Sequence, residues 1–448
     1  MKNNQLIQLP DGYLNRTPIF QFILVSLLFP LWAVAASLND ILIAQFKHVF
    51  ELSDFASAFV QSAFYGGYFL VAIPASMVIK KMSYKFAIMT GLLFYIVGCS
   101  LFYPASHMGT YTMFLVAIFA IAIGLSFLET AANTYSSMIG PRQYSILRLN
   151  ISQTFYPLGS IAGILLGKYL VFQEGASLES QMAKMSPAEA HAFGLKMLQH
   201  TLEPYKYIIF VLIAMFVLFA LTKFPICKPV ANRAKSAEKA PGIGQTLKYL
   251  AGNKRFKKGI AAQFLYVGMQ VAVWSFTIRL ALDLNPDFNE RTASNFMVYS
   301  FAGFFVGKFI ANFLMARFSS SKVLFGYSIL GSAMLAYVIL VPNMTAVYAA
   351  IVVSMLFGPC WATIYAETLE VVDKKYTETA GAILVMSIVG GAVIPALQGY
   401  ASDAFGSMQT AFLVSMACFV YVGIYFFGEM KKQKSGVKKT DEAIEVAQ

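Results

Sequence analysis

Apolar segments long enough to cross a bilayer, about eighteen residues or more, recur along the entire chain. The chain is 58% hydrophobic and only 12% charged, which is far too apolar for a soluble globular domain. We therefore predict an all-α polytopic membrane protein with twelve transmembrane helices. The predicted spans are residues 19–46, 55–79, 86–103, 111–139, 149–171, 204–222, 259–282, 293–316, 323–341, 345–371, 380–401 and 410–427.

The spans divide into two groups of six, separated by the longest basic stretch of the sequence. A short basic turn follows the second span at residues 80–85, and a similar turn follows the eighth span at residues 317–322. This weak internal repeat is typical of the major facilitator architecture. We divide the chain into a cytoplasmic lead (1–18), which we expect to be mobile, a first six-helix half (19–222), a cytoplasmic linker (223–258), a second six-helix half (259–428) and a cytoplasmic tail (429–448).

The formal net charge of +12 reflects membrane topology. Most lysines and arginines fall in loops assigned to one side, as the positive-inside rule describes for cytoplasmic loops. We therefore predict a multi-pass protein of the bacterial inner (plasma) membrane with both termini in the cytoplasm. We expect no nucleic-acid partner, because cytoplasmic loops between spans carry the same basic composition.

The sequence carries no motif of a known catalytic or cofactor-binding site. A Gly-rich phosphate loop ending in Lys-Ser/Thr is absent, which argues against nucleotide-driven transport. The four histidines fall in outside loops or at their edges, and the four cysteines are too far apart in sequence for a metal clip. We expect no enzyme activity, no cofactor and no metal, and a monomer whose partners are a small molecule, protons and membrane lipid.

Two acidic residues lie inside the apolar spans of the first half. Asp40 is the only charged residue of the first span, and Glu129 lies in the fourth. An acid at the bilayer centre costs roughly 2.5–3.5 kcal/mol on insertion scales, so such a group faces a polar interior, is neutralised or is paired. We expect Asp40 to carry the coupled proton of a transporter. The alternative is that Asp40 only joins two helices by hydrogen bonds.

The other polar residues of the spans are mostly amides and tyrosines at helical spacing. Glu129 and Asn133, for example, lie one turn apart on one face. Amides and carboxylates hydrogen-bond hydroxyl groups, and flat rings offer an apolar face to a pyranose, so this set suits a neutral polyol such as a sugar better than an organic anion. The expected substrate-binding residues are Asn39, Tyr65, Tyr68, Glu129, Asn133, Asn150, Gln153, Gln270 and Trp274.

The fifth predicted span begins with a polar stripe and continues with small residues. Asn150, Gln153, Thr154 and Pro157 follow an i, i+3, i+4, i+7 pattern, which places them on one helical face. After them, glycines at positions 159, 163 and 167 recur every fourth residue, as close helix packing in lipid favours. In the second half, Lys308 is a candidate buried cation, and the alternative is that its stem extends to the inner membrane surface.

Short runs of residues along nearly the whole chain form one recognisable set. They are LWAVA at 31–35, LNDIL at 38–42, QSAFY at 61–65, LETAAN at 128–133, RLN at 148–150, QTF at 153–155, QF at 263–264, YVG at 266–268, Gln270 and WS at 274–275. Together they resemble the fucose permease branch of the major facilitator superfamily. The resemblance implies movement of L-fucose or other hexoses with protons, proton and sugar handling at Asp40 and Glu129, and a cavity-lining role for Asn150.

The sequence departs from the fucose members of this family near the expected cavity. Ala36 and Ser37 stand where the family carries asparagines, and Thr134 stands where it carries proline. Lys308 replaces an arginine, and a run beginning at Trp361 replaces an aromatic-Pro-Thr run. We expect a secondary active, proton-coupled symporter of L-fucose or a closely related sugar, working by alternating access. The alternatives are a symporter of another hexose, deoxy-sugar or amino sugar, a facilitative or multidrug carrier, and a non-transporting membrane receptor for sugar.

Overall fold

The described part of the chain is helical almost throughout. The computed structural model describes residues 6–50, 54–166, 185–228, 242–285, 288 and 290–445. The α-helices, in chain order, are α1 (Ile19–Ser26), α2 (Leu28–Val49), α3 (Asp54–Lys81), α4 (Tyr84–Met108), α5 (Tyr111–Met138), α6 (Ser145–Thr154), α7 (Tyr156–Leu166), α8 (Pro187–Thr201), α9 (Glu203–Leu221), α10 (Ile243–Gly252), α11 (Lys254–Leu284), α12 (Glu290–Met315), α13 (Ser320–Leu340), α14 (Thr345–Phe357), α15 (Cys360–Glu370), α16 (Thr377–Met386), α17 (Gly390–Phe405) and α18 (Met408–Glu445).

Helices of membrane-spanning length dominate this fold. In the part of the chain that the structure describes, 11 helices are long and apolar enough to cross a membrane. The predicted fifth span is not among them, because it falls on the shorter helices α6 and α7, and residues 167–184 lie outside the described residues. The predicted all-α polytopic class is confirmed.

Several predicted spans are interrupted rather than continuous. The interruptions lie at Leu27, at Phe155, at Gly358 and Pro359, and at the 3₁₀ turn Ser387–Val389. At the third of these, Gly358 has φ 46° and ψ −142°, a backbone conformation that favours glycine because any Cβ would be strained there. In membrane transporters, interrupted helices commonly line binding sites, since their ends present free backbone groups.

The contacts within the chain divide it into two compact units. The first unit comprises Met1–Ser145, Phe155–Leu247 and Val372–Met386, and the second comprises Ile146–Thr154, Lys248–Val371 and Ser387–Gln448. Each unit therefore includes a short piece of the other predicted half. These two pieces contain most of α6 and all of α16, which are the first parts of interrupted spans.

In the first unit, α5 packs against α3 and α4, and α2 packs against α7. The contact between α2 and α7 depends on glycine. A Cβ at Gly159 would overlap the carbonyl oxygen of Pro30, and a Cβ at Gly163 would lie 2.9 Å from the Cβ of Ser37. The predicted close packing of small residues is therefore present at these two positions, whereas Gly167 lies outside the described residues.

In the second unit, α11 packs against α17 and α18, α12 against α14, and α13 against α18. Close approach again requires glycine at two points. A Cβ at Gly268 would overlap the side chain of Ile394, and a Cβ at Gly307 would overlap the carbonyl oxygen of Met355. These contacts fix α11, which carries Gln270, and α12, which carries Lys308.

The N-terminal lead is folded from residue 6 onward, and the expectation that it is mobile is wrong for residues 6–18. Tyr13 and Leu14 are 4% and 1% exposed. The backbone N–H of Leu14 donates to the carbonyl of Gly140 at 3.3 Å, and the ammonium of Lys374 lies 4.9 Å from the centre of the Tyr13 ring. These contacts pack the lead against other residues of the first unit.

Candidate functional site

The carboxyl group of Glu129 is buried in the first unit. It lies on α5, where every residue from Gly124 to Met138 is buried, and its side chain is 7% exposed. Its Oε2 atom has no hydrogen-bond partner among the described residues. A buried oxygen without a partner is costly, and in native proteins it commonly marks a functional site that another group completes.

Helix α3 brings tyrosines towards this carboxyl group. A Cβ at Gly67 would overlap the Cβ of Ala122, so the two helix backbones approach closely there. One turn further along α5, the hydroxyl of Ser126 donates to the carbonyl of Tyr68 at 3.3 Å. Tyr68 is 4% exposed and lies within electrostatic range of Glu129. Glu129 lies one turn beyond Ser126 on α5.

Tyr65 and Tyr156 also lie within electrostatic range of Tyr68. We call Glu129 and these three tyrosines the carboxyl–tyrosine cluster. Tyr156 is the member that sequence reasoning missed. It is the first residue of α7, directly after the interruption at Phe155, and its position before Pro157 gave no signal of proximity to α3. Asn133, one turn beyond Glu129 on α5, is fully buried.

The predicted residues Asn39 and Asp40 belong to α2 by their backbone, but their side chains lie outside the described residues. The proton-coupling role of Asp40 and the sugar-binding role of Asn39 therefore stay predictions.

In the second unit, the polar stripe of α6 is held by side chains from α12 and α15. Asn150 donates from Nδ2 to the hydroxyl of Thr363 at 3.1 Å. The ammonium of Lys308 donates to the carbonyl of Gln153 at 2.8 Å. Lys308 is 2% exposed, so its ammonium lies in the protein interior and does not extend to the membrane surface.

Gln270 and Trp274 lie one turn apart on α11, 9% and 7% exposed. The indole N–H of Trp274 donates to the hydroxyl of Ser354 at 3.2 Å. Its ring lies 4.3 Å from the ring centre of Phe301 and 5.4 Å from that of Phe304. The ring of Trp274 is therefore part of an aromatic core, and the amide of Gln270 is the better candidate of the two for a polar ligand.

Trp361 has a polar partner that sequence reasoning also missed. In the amide orientation that satisfies both groups, Gln263 accepts from the indole N–H of Trp361 at 2.8 Å and donates to its carbonyl at 3.3 Å. The indole stacks on the ring of Tyr365, with ring centres 5.1 Å apart. The i, i+4 spacing of Trp361 and Tyr365 could have suggested this stack. The hydrogen-bond partner, Gln263 on α11, is 98 residues away in sequence, so local spacing gave no sign of it.

The chemistry of these side chains is that of hydrogen bonding and proton exchange. Hydroxyls, amides and a carboxyl group can donate to or accept from the hydroxyls of a sugar, and a carboxyl group can also bind a proton. Among the described residues, no group of three or more His, Cys, Asp or Glu side chains could hold a metal ion.

Comparison with known proteins decides the family. The family model described as Major Facilitator Superfamily matches residues 19–287 and 260–447. The chain belongs to the major facilitator superfamily. It is 35% identical over 417 residues to the L-fucose-proton symporter of Escherichia coli strain K12, covering 93% of this chain and 94% of that protein. It is 29% identical to the glucose/galactose transporter of Brucella abortus strain 2308, covering 90% and 92%.

A solved structure supports this membership of the superfamily. The crystal structure of the superfamily transporter FucP in the outward conformation matches with a TM-score of 0.81 and 35% sequence identity, covering 91% of this chain and 98% of that one. The predicted resemblance to the fucose permease branch is confirmed, and the protein is a multi-pass membrane protein of a transporter family.

Proposed function

We propose that this protein is a proton-coupled symporter of L-fucose or a closely related hexose. The observation that carries the proposal is the buried carboxyl group of Glu129, which has one oxygen without a partner among the described residues and lies within electrostatic range of Tyr68. The similarity of nearly the whole chain to an L-fucose-proton symporter supports the same substrate class.

In this proposal the carboxyl–tyrosine cluster binds sugar hydroxyls. A hydrogen bond to a charged group contributes roughly 1.5–3 kcal/mol, and tyrosines add apolar ring surface together with a polar hydroxyl. Asn133 is a further candidate on the same helix. The remaining candidates for sugar contact are Asn39, Asn150, Gln153, Gln270 and, with less geometric support, Trp274.

Asp40 is the proposed carrier of the coupled proton. A carboxylate inside an apolar span is costly, and protonation removes that cost. Proton binding at Asp40 would then make rearrangement of the chain between outward and inward states easier, which couples proton entry to sugar entry by alternating access.

We place the protein in the bacterial inner membrane as a monomer, with both termini in the cytoplasm. The concentration of basic residues in the linker and in the short turns supports this orientation.

A second candidate substrate is a hexose other than fucose. Relatives named as glucose/galactose transporters match over 90% of this chain. The departures from the fucose members, at Ala36, Ser37 and Thr134 among others, alter hydrogen-bonding groups near the expected site.

Uptake into proteoliposomes tests the proposal. Radiolabelled L-fucose, D-galactose and D-glucose are offered with and without an inward proton gradient. We expect L-fucose to accumulate above its external concentration only with the gradient. If the sugar only equilibrates across the membrane, with or without the proton gradient, the protein is a facilitative carrier. Sugar binding without uptake would indicate a receptor. Preferential uptake of another hexose would identify that hexose as the substrate.

A further inference from the structure

Pro157, in the first turn of α7, cannot act as a backbone hydrogen-bond donor to the preceding helix. Proline has no N–H, so the residue four positions before it loses the hydrogen bond that an α-helix would provide. For Pro157 that residue is Gln153. Helix α6 ends at Thr154 and α7 begins at Tyr156, which places the affected carbonyl at the last turn of α6.

Lys308 supplies a donor to this carbonyl. Its ammonium lies 2.8 Å from the carbonyl oxygen of Gln153 and 4.4 Å from the ring centre of Phe304, one turn earlier on α12. The side chain is 2% exposed. A buried ammonium inside a membrane span is retained only where specific partners compensate its lost hydration, and here a carbonyl and a ring face do so.

A second donor from α12 binds the next residue of α6. Asn312, one turn beyond Lys308, donates from Nδ2 to the hydroxyl oxygen of Thr154 at 2.7 Å. That hydroxyl in turn donates to the carbonyl of Asn150 at 2.8 Å. Helix α12 therefore holds two consecutive residues at the end of α6 through side chains at i and i+4.

We propose that Lys308 is a positioning residue of the transport site, whose ammonium group takes the place of the backbone donor that Pro157 lacks. It thereby fixes the end of α6, the helix on which Asn150 and Gln153 lie. The structural part of this proposal is independent of the substrate, whereas its consequence for sugar binding rests on the proposed function. An arginine would keep a charged donor on a long stem at this position, although its planar guanidinium differs in shape from an ammonium group.

A double-mutant cycle tests the structural part without any sugar. Lys308→Met removes the donor, and Pro157→Ala supplies a backbone N–H four residues after Gln153, at the position from which an α-helix would donate to its carbonyl. We expect Lys308→Met to lower the melting temperature of the purified full-length protein clearly, and to lower it less than half as much when Pro157→Ala is also present. If Lys308→Met alone does not fold, recovery of folded protein by adding Pro157→Ala gives the same support.

Additive effects of the two changes, or failure of Pro157→Ala to restore folding, would overturn the proposal, since residues that share one interaction show coupled effects.

Equilibrium binding of L-fucose tests the functional part. We expect Lys308→Met to raise the sugar concentration for half-saturation by about 5- to 30-fold, with Lys308→Arg close to wild type. Lys322→Met, at an exposed lysine in the first turn of α13, is the matched control and should bind normally. If Lys308→Met binds L-fucose as tightly as the wild type, the positioning role of Lys308 in sugar binding is wrong. If the wild type binds no hexose, the proposed function fails, while the stability cycle still decides the role of Lys308.

Discussion

At the scale of single residues, buried hydrogen-bond acceptors without a partner determine where a ligand would gain the most binding free energy. Leaving a buried polar atom without a hydrogen bond costs about 1–3 kcal/mol. Among the described residues, Oε2 of Glu129 and Oδ1 of Asn150 are such atoms. A sugar hydroxyl that donates a hydrogen bond to either atom would recover this free energy. If no ligand bound there, replacing the residue that carries the atom with an apolar residue would increase the stability of the protein.

Replacement of Glu129 by glutamine should weaken sugar binding. The amide keeps the shape of the side chain but loses a charged acceptor, so we expect affinity to fall by roughly 10- to 100-fold, about 1.5–3 kcal/mol. Equilibrium binding of labelled L-fucose measures the change. Glu203→Gln, at a half-exposed acid that pairs with Lys206, is the control. Normal affinity together with normal coupled uptake in Glu129→Gln would remove this residue from the site.

Replacement of Gln270 by alanine separates ligand binding from packing on α11. The amide of Gln270 is largely buried, whereas the neighbouring Trp274 belongs to an aromatic core. We expect Gln270→Ala to reduce sugar affinity while the melting temperature stays close to wild type. A lower melting temperature with unchanged affinity would instead show that Gln270 packs like Trp274.

At the scale of helices, interruption and close packing occur on the same elements. Helix α7 follows the interruption at Phe155 and then packs its glycines against α2. Because backbone atoms line this contact, they cannot shift aside as a flexible side chain can. The position of α7, and with it the position of Tyr156 in the carboxyl–tyrosine cluster, therefore depends on glycines, which have no side chain.

Gly159→Ala should destabilise the protein through this contact. The added Cβ meets the backbone of Pro30, and overpacking of this kind typically costs about 1–3 kcal/mol. Thermal unfolding of the purified protein measures the loss. Gly66→Ala is the matched control, because a Cβ at Gly66 meets nothing within 4 Å. Equal melting temperatures for the two variants would show that α2 and α7 separate without cost.

At the scale of the whole molecule, each compact unit contains a short piece of chain whose two ends continue into the other unit. These pieces are Ile146–Thr154 and Val372–Met386. In the second, Thr379 accepts a hydrogen bond from the ammonium of Lys80 at 2.7 Å, and in the first, α6 is held by α12. Each of these hydrogen bonds therefore holds its piece within the unit that contains it.

Replacement of Asp40 by asparagine tests coupling in the complete transporter. Asparagine keeps the shape of a protonated aspartate but cannot exchange a proton. We expect Asp40→Asn to abolish accumulation driven by a proton gradient while sugar binding and exchange without a gradient persist. Uptake of labelled L-fucose into proteoliposomes with and without the gradient measures both activities. Undiminished accumulation would favour the alternative that Asp40 only joins two helices.

The sequence by itself determined the class, the positions of most spans and the family, because apolar length, charge asymmetry and ordered motifs are local properties of the chain. It also indicated Glu129 and the stripe at Asn150, since helical spacing predicts which residues share a face. It could not show that Lys308 donates to the carbonyl of Gln153, that Tyr156 lies near Tyr68, or that the N-terminal lead packs through Tyr13. Those contacts join residues far apart in the chain, and only tertiary packing, set by where glycines allow backbones to approach, decides which side chains meet.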